Sequence, residues 1–272
     1  MWLPDDTPAE QKIGGRDLTH WRSGPGRWLA ARAVRLGSWT AAHWVLLLTV
    51  LVGGGLAVAL TAATAEVYES VVESDGVAGL DQPVLDRAVA WRSPGLDHGL
   101  TLFTDVGGPV GMPILALLAV ALMTALWRSR TPAVLLVIAA AGSLAMTTTG
   151  KALVGRVRPP HDLAVAPYES SPSFPSGHTL NATVVTGVVV YLLLRRLATA
   201  WARTLTVVLG AAFVVAMGLS RVFLGHHWLT DVVAGWALGL AWVAVVVTAH
   251  RLFLTVRRHQ AVPRAVPPAP AT

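Results

Sequence analysis

Six runs of apolar, almost uncharged residues set the terms for this chain: 42–65, 110–127, 133–150, 177–194, 204–224 and 228–249. Each is long enough, or nearly so, to cross about 30 Å of hydrocarbon at about 1.5 Å per helical residue. A bilayer offers the backbone no water, so each N–H and C=O must bond within its own helix or within a closed barrel. Runs of this length predict helices, and the expected fold is an all-α polytopic membrane protein, six transmembrane helices in a bundle. Composition agrees: 54% of residues are hydrophobic and only 13% are charged, with a mean hydropathy of +0.57, more apolar than a soluble domain requires. A pI near 10.7 would suit a nucleic-acid partner. Here the Lys and Arg residues gather in short segments between apolar runs, where they report membrane orientation instead. The expected partner is the lipid bilayer, with no nucleic acid. The absence of cysteine excludes disulfides and cysteine-ligated metals and leaves the redox compartment unread. The first apolar run starts too far in, and is too long, for a cleaved signal segment, so it is expected to remain as a span.

Basic residues divide unevenly between the two sides. The tail before the first run, the second connection, the fourth connection and the C-terminal tail hold 15 of the 21 Lys and Arg residues. By the positive-inside rule both termini are expected in the cytoplasm. The expected organisation is a cytoplasmic tail over 1–41, a transmembrane domain over 42–250, and a basic, then Pro/Ala-rich, cytoplasmic tail over 251–272. Residues 27–36 alternate Arg with Trp28, Leu29, Val34 and Leu36, as an interfacial helix would. The last dozen residues have a disordered composition. Glu66, Glu69, Glu73, Asp75, Asp81, Asp86, Asp97 and Asp105 make the 66–108 connection acidic. It reads as a solvated cover rather than catalytic machinery. Within it 84–91 suits a short surface helix, and Pro94 and Gly107-Gly108 mark turns. Trp44, Trp127, Trp228 and Trp242 fall where interfacial anchors would. Gly235 and Gly239 have a small-xxx-small spacing, which suits helix contact within the bundle or between subunits, so oligomeric state stays open.

Three clusters carry chemistry. Lys151 and Arg158 are seven residues apart, so a helical segment between them would place both on one face. Arg221, with Ser220, ends the fifth run. Guanidinium forks match phosphate oxygens, and an ammonium adds a point charge. Pro175-Ser176-Gly177-His178 precedes the fourth run: Ser176 suits a helix cap, and Gly177 lets backbone amides approach an anion. His178 beside such a cradle could protonate a leaving oxygen. His227 and Asp231 are spaced i, i+4 on one helical face. An Asp in a span needs a partner. A hydrogen bond from His227 Nδ1–H would supply one and leave Nε2 free to attack phosphorus. His226 lacks that relation and reads as a substrate or interface contact. All three clusters fall on the extracytoplasmic side of the expected topology.

These residues, as K-x6-R-P, P-S-G-H and S-R-x5-H-x3-D, match without exception the signatures of the type 2 phosphatidic acid phosphatase superfamily, which the chain resembles. The signatures span about 80 residues, and the six-run layout extends the likeness to most of the chain. The resemblance implies a lipid phosphatase working without metal or cofactor through a phosphohistidine. By analogy His227 is the nucleophile, oriented by Asp231, and His178 the general acid. Lys151, Arg158, Ser176, Gly177 and Arg221 would bind the phosphate. It also implies substrates such as phosphatidic acid, phosphatidylglycerol phosphate or undecaprenyl diphosphate. A phosphotransferase on the same scaffold, or an inert lipid-binding membrane protein, are the alternatives. His161, Asp162, Tyr168 and Glu169 lie beside the expected pocket without naming a lipid.

Overall fold

The computed structural model describes residues 76–261 without a break and, before them, 12–13, 16–21, 23–35 and the single positions 51 and 55. The first expected span falls outside the described residues except at 51 and 55, both helical, and so does the Pro/Ala-rich tail. Two residue pairs, β1 (Lys12–Ile13) and β2 (Arg16–Asp17), form a minimal antiparallel ladder. Everything else of regular structure among the described residues is helical. α1 is Gly24–Arg35, α2 Asp81–Ala90, α3 Pro94–Asp105 and α4 Gly111–Trp127. α5 is Thr131–Val154, α6 Gly177–Leu194, α7 Ala200–Phe223 and α8 Leu229–Ala261.

Four of these helices are long and apolar enough to cross a membrane: α5, α6, α7 and α8 over Leu229–Arg257. The second expected run is the shorter helix α4, of 17 residues. α6 is apolar on all faces and half buried, the most of the four, because α5, α7 and α8 pack around it. Leu180, Val184, Val188 and Leu192 of α6 meet Leu136 and Ala139 of α5, Met217 of α7, and Leu238 and Val246 of α8 in one core. Lateral faces stay apolar and exposed, as at Leu117, Leu144, Val208 and Leu240, which suits contact with lipid chains.

Gly235 and Gly239 face α6 inside the bundle. A Cβ on Gly239 would lie 2.6 Å from Thr183 Cβ, and one on Gly235 would lie 3.0 Å from Thr179 Cβ. Trp242 is no interfacial anchor: its indole donates to Ala139 O at 3.2 Å, deep between α8 and α5. Beyond the sixth expected run α8 continues to Ala261, where Leu252 and Val256 meet Ala33 of α1. Trp21 ties that end down, donating to Thr255 Oγ1 at 3.2 Å, with Arg251 stacked 4.3 Å from its ring centroid.

The acidic connection contains more helix than its turn signals suggest. Pro94 opens α3 rather than a turn, because Ser93 caps it by accepting from Leu96 N at 3.4 Å and Pro suits a first helical position. Phe103 of α3 then packs edge-on against Phe213 of α7, centroids 5.9 Å apart. Close α6–α8 packing yields a prediction. Gly239→Val should cost about 1–3 kcal/mol by overpacking, read as a lower unfolding midpoint of the detergent-solubilised protein. An unchanged midpoint would mean the two helices do not approach this closely.

Candidate active site

The C-terminal ends of α5 and α7 and the N-terminal ends of α6 and α8 meet at one end of the bundle, and the three sequence clusters meet there too. Their route differs from expectation at the first cluster. α5 stops at Val154, and Gly155, at φ +59°, reverses the chain while its amide bonds back to Lys151 O at 3.1 Å. Lys151 and Arg158 therefore share no helical face. They converge on the 171–172 backbone instead. Lys151 Nζ donates to Ser171 Oγ at 3.0 Å and to Pro172 O, and Arg158 Nε donates to Ser171 O at 2.7 Å.

Arg158 Nη1 donates to His226 O at 2.6 Å and lies 3.2 Å from His227 Nε2. A guanidinium can only donate, so Nε2 must present its lone pair and Nδ1 must carry the proton. Nδ1 in turn lies 3.3 Å from Ser173 Oγ and 3.4 Å from Asp231 Oδ2, while Ser173 Oγ donates to Asp231 Oδ2 at 2.5 Å. The expected direct His–Asp hydrogen bond is thus a longer contact with a serine hydroxyl alongside it. His227 is almost wholly buried, at 1% exposure. Burial pushes its imidazole down to about 4 despite the opposing pull of Asp231, so the ring is neutral at neutral pH.

Asp231 is fully buried, and its charge is met by several groups. Trp228 N donates to Oδ2 at 3.0 Å, and Arg156 Nη1 donates to Oδ1 at 2.7 Å. Sequence reasoning passed over Arg156, Ser173 and Thr104. Their signals were thin: Arg156 is one more Arg in a charge-poor loop, and hydroxyls 54 residues or more from their partners leave no local pattern.

Arg221, 2% exposed, donates from Nη1 to Thr104 Oγ1 at 3.2 Å and from Nη2 to Glu169 Oε1, while its buried Nε has no hydrogen-bond partner among the described residues. Glu169 Oε2 pairs with Arg158 Nη2 at 2.7 Å, so one carboxylate bridges the two arginines. Burial alone would raise the Glu169 carboxyl, but Arg221 and then Arg158 outweigh it and hold it down at about 2. Its two oxygens are each met by one guanidinium, a geometry that suits an oxyanion.

Ser176 occupies the N-cap position of α6 without capping through its side chain. Its Oγ accepts from Thr179 Oγ1 at 2.9 Å, and its amide donates to Asp231 O at 3.2 Å. The amides of Gly177, His178 and Thr179 open the helix, where no carbonyl a turn earlier belongs to it. His178 Nε2 faces the turn between α3 and α4, 3.4 Å from where a Cβ on Gly108 would sit. His226 Nε2 donates to Val165 O at 2.6 Å, and burial pushes this ring down to about 4. A cavity of about 280 Å³ adjoins the cluster, lined by Arg158, Pro160, His161, Tyr168, Glu169 and His226 among others. Among the described residues no group of three His, Asp or Glu side chains is arranged to hold a metal ion.

A sequence model described as the PAP2 superfamily matches residues 132–253, the helices and turns that build this cluster. Phosphatidylglycerophosphatase B of Bacillus subtilis is 29% identical over 176 residues, 64% of this chain and 85% of that protein. An undecaprenyl-diphosphatase of Sulfolobus acidocaldarius is 32% identical over 153 residues, 54% of this chain and 67% of the relative. The crystal structure of a transmembrane PAP2-type phosphatidylglycerolphosphate phosphatase from Bacillus subtilis superimposes with a TM-score of 0.60 at 27% identity. That alignment covers 77% of this chain and 98% of the other. Sequence likeness over the site-bearing helices and shared architecture over nearly all of a solved relative lead to one conclusion: this chain belongs to the PAP2 superfamily.

Proposed function

We propose that this membrane phosphatase releases inorganic phosphate from a lipid phosphomonoester or lipid diphosphate through a phosphohistidine formed on His227. One observation carries the reading: the lone pair of His227 Nε2 lies 3.2 Å from Arg158, one of two arginines already holding an oxyacid between them. A substrate phosphate would replace Glu169 there. Arg158, Arg221 and Lys151 meet the charge on its non-bridging oxygens, and the amides at Ser176-Gly177 complete the cradle.

His227 Nε2 attacks phosphorus, the bond from phosphorus to the lipid oxygen breaks, and His178 donates a proton to the departing oxygen. Water then attacks the phosphohistidine and gives a proton back to His178, the P–N bond returns its electron pair to Nε2, and phosphate leaves. Asp231, through its contact with Nδ1–H and the Ser173 bridge, orients the ring and steadies the positive charge it gains. Protein cations supply the electrostatics, so the reaction requires no metal or cofactor in this reading. The relatives act, by their names, on phosphatidylglycerophosphate and undecaprenyl diphosphate; both, with phosphatidic acid, are the candidate substrates. The basic α1, Arg195, Arg196 and Arg203 sit at the opposite end of the bundle. This supports a multi-pass arrangement with cytoplasmic termini and an extracytoplasmic site.

His227→Ala should reduce phosphate release to background, a loss of about 10⁴-fold or more, and His178→Ala should lower kcat by about 10²–10⁴-fold. Purified variants assayed on the three candidate lipids decide this, and near-normal turnover by folded His227→Ala rejects the mechanism. Release should persist in EDTA and be inhibited by vanadate. A strict divalent-metal requirement would contradict the charge assignment.

The pH profile gives a further check. His227 attacks as the neutral ring, and burial lowers its pKa, so protonation sets in only as pH falls toward about 4. After correction for the second ionisation of the substrate phosphate, kcat/KM should show no loss from pH 7 to pH 6, where protonation of the acid His178 can only raise it, and should fall near the lower value. Half-loss near the ordinary imidazole value would show an unperturbed histidine.

A further inference from the structure

Behind Asp231, away from the paired arginines that Glu169 bridges, lies a second charged group that the catalytic assignment does not use. Arg156 is 7% exposed and points its two terminal nitrogens at different carboxylates: Nη1 to Asp231 Oδ1 and Nη2 to Asp81 Oδ2, both at 2.7 Å. Asp81, 5% exposed, opens α2 in the acidic connection before the bundle. Its Oδ1 accepts from Thr230 N at 2.9 Å and its Oδ2 from Thr230 Oγ1 at 2.7 Å. Thr230 Oγ1 accepts from Arg156 Nη1 at 2.6 Å, which closes the network. Trp228 lies over it, with its ring centroid 5.7 Å from the Arg156 guanidinium carbon.

The geometry has a specific effect on the site. Arg156 takes Oδ1 of Asp231, so Oδ2 is the oxygen left to face Ser173, Trp228 N and His227 Nδ1. Asp81 bonds an amide in the first turn of α8, one residue before Asp231, and so fixes where that helix begins. A carboxylate buried this deeply is strongly unfavourable unless paired, and a single guanidinium shared by two carboxylates constrains both in direction as well as charge.

From this arrangement we infer that Asp81 and Arg156 are positioning residues for the reaction, acting through Asp231 to aim His227. The inference rests on the reading of His227 as nucleophile given above. Neither residue touches the phosphate: the acidic connection contributes one carboxylate, through one arginine, to the aim of the nucleophile. Misdirection by a fraction of an ångström lowers the chemical step and leaves substrate binding to Lys151, Arg158 and Arg221.

Asp81→Asn and Arg156→Lys in the full-length, lipid-reconstituted protein test it. Asn keeps an oxygen for the Thr230 amide and loses the ion pair, while Lys keeps the charge and cannot fork to both carboxylates. Each variant should lower kcat by about 10- to 100-fold with KM within about twofold of wild type. The double variant should lose no more than the worse single, because the two residues act as one unit. Unfolding midpoints should stay close to wild type for Asp81→Asn.

A kcat within threefold of wild type in either folded variant overturns the inference. A raised KM at unchanged kcat does so too, because the pair would then serve binding. If both single variants fail to fold, the network serves the fold and the inference falls. Failure of the underlying reading shows separately: the wild type alone would then release no phosphate from any of the three lipids, or folded His227→Ala would keep its activity.

Discussion

Charges at the end of an apolar helix bundle survive only by compensating one another, and this requirement shapes the whole site. Lys151, Arg156, Arg158 and Arg221 face Asp81, Glu169 and Asp231 within one cluster of ion pairs and backbone bonds. Counted without the histidines, these seven groups leave one positive charge. Under the reading proposed above, a phosphate dianion in place of Glu169 would bring the cluster to neutrality. Such a balance favours binding a dianion over retaining the carboxylate without needing deep burial of unpaired charge at any stage. It also explains why a chain so poor in charge concentrates ionisable residues here.

Helix ends are the second requirement. Two helices arrive at the site with their C-termini and two leave with their N-termini, so backbone amides and carbonyls are available beside the side chains. Carbonyls of the loops between these helix ends hold the cations in place: Pro172 O and Ser171 O on Lys151 and Arg158, and His226 O on Arg158. Arg92 does similar work nearby, donating to Phe223 O at the end of α7 and to Leu163 O. That clamp holds the 161–163 turn against the Gly225 reversal, whose φ of +72° sets the direction of the chain entering His226 and His227.

Local patterns made part of this legible from sequence. The apolar runs gave α5 to α8 within a few residues at most starts, because hydrocarbon length and backbone bonding leave few options. Short motifs singled out Lys151, Arg158, Ser176, Gly177, His178, Arg221, His227 and Asp231; of these Arg158 meets His227, Asp231 meets His227 and the Ser176 amide, and Lys151 and Arg221 reach Arg158 only through Ser171 and Glu169. Long-range partners were not legible. Asp81 lies 149 residues from Thr230 and 75 from Arg156, in a segment whose acidity suggested only solvent. Glu169 was noticed beside the pocket, but its bridge between two arginines depends on a chain reversal at Gly155 that the seven-residue spacing argued against. Pro94 was read as a breaker although a serine before it made it a helix start.

Covalent chemistry at one nitrogen is the central claim, and trapping it is the most direct measurement. Purified protein mixed with phosphatidylglycerol phosphate labelled in its terminal phosphate, quenched in alkali within milliseconds and digested, should yield labelled peptide. The account predicts an alkali-stable, acid-labile label on the peptide containing His227, absent from His227→Ala. Label on another residue, or full turnover with no labelled protein at any quench time, would contradict it.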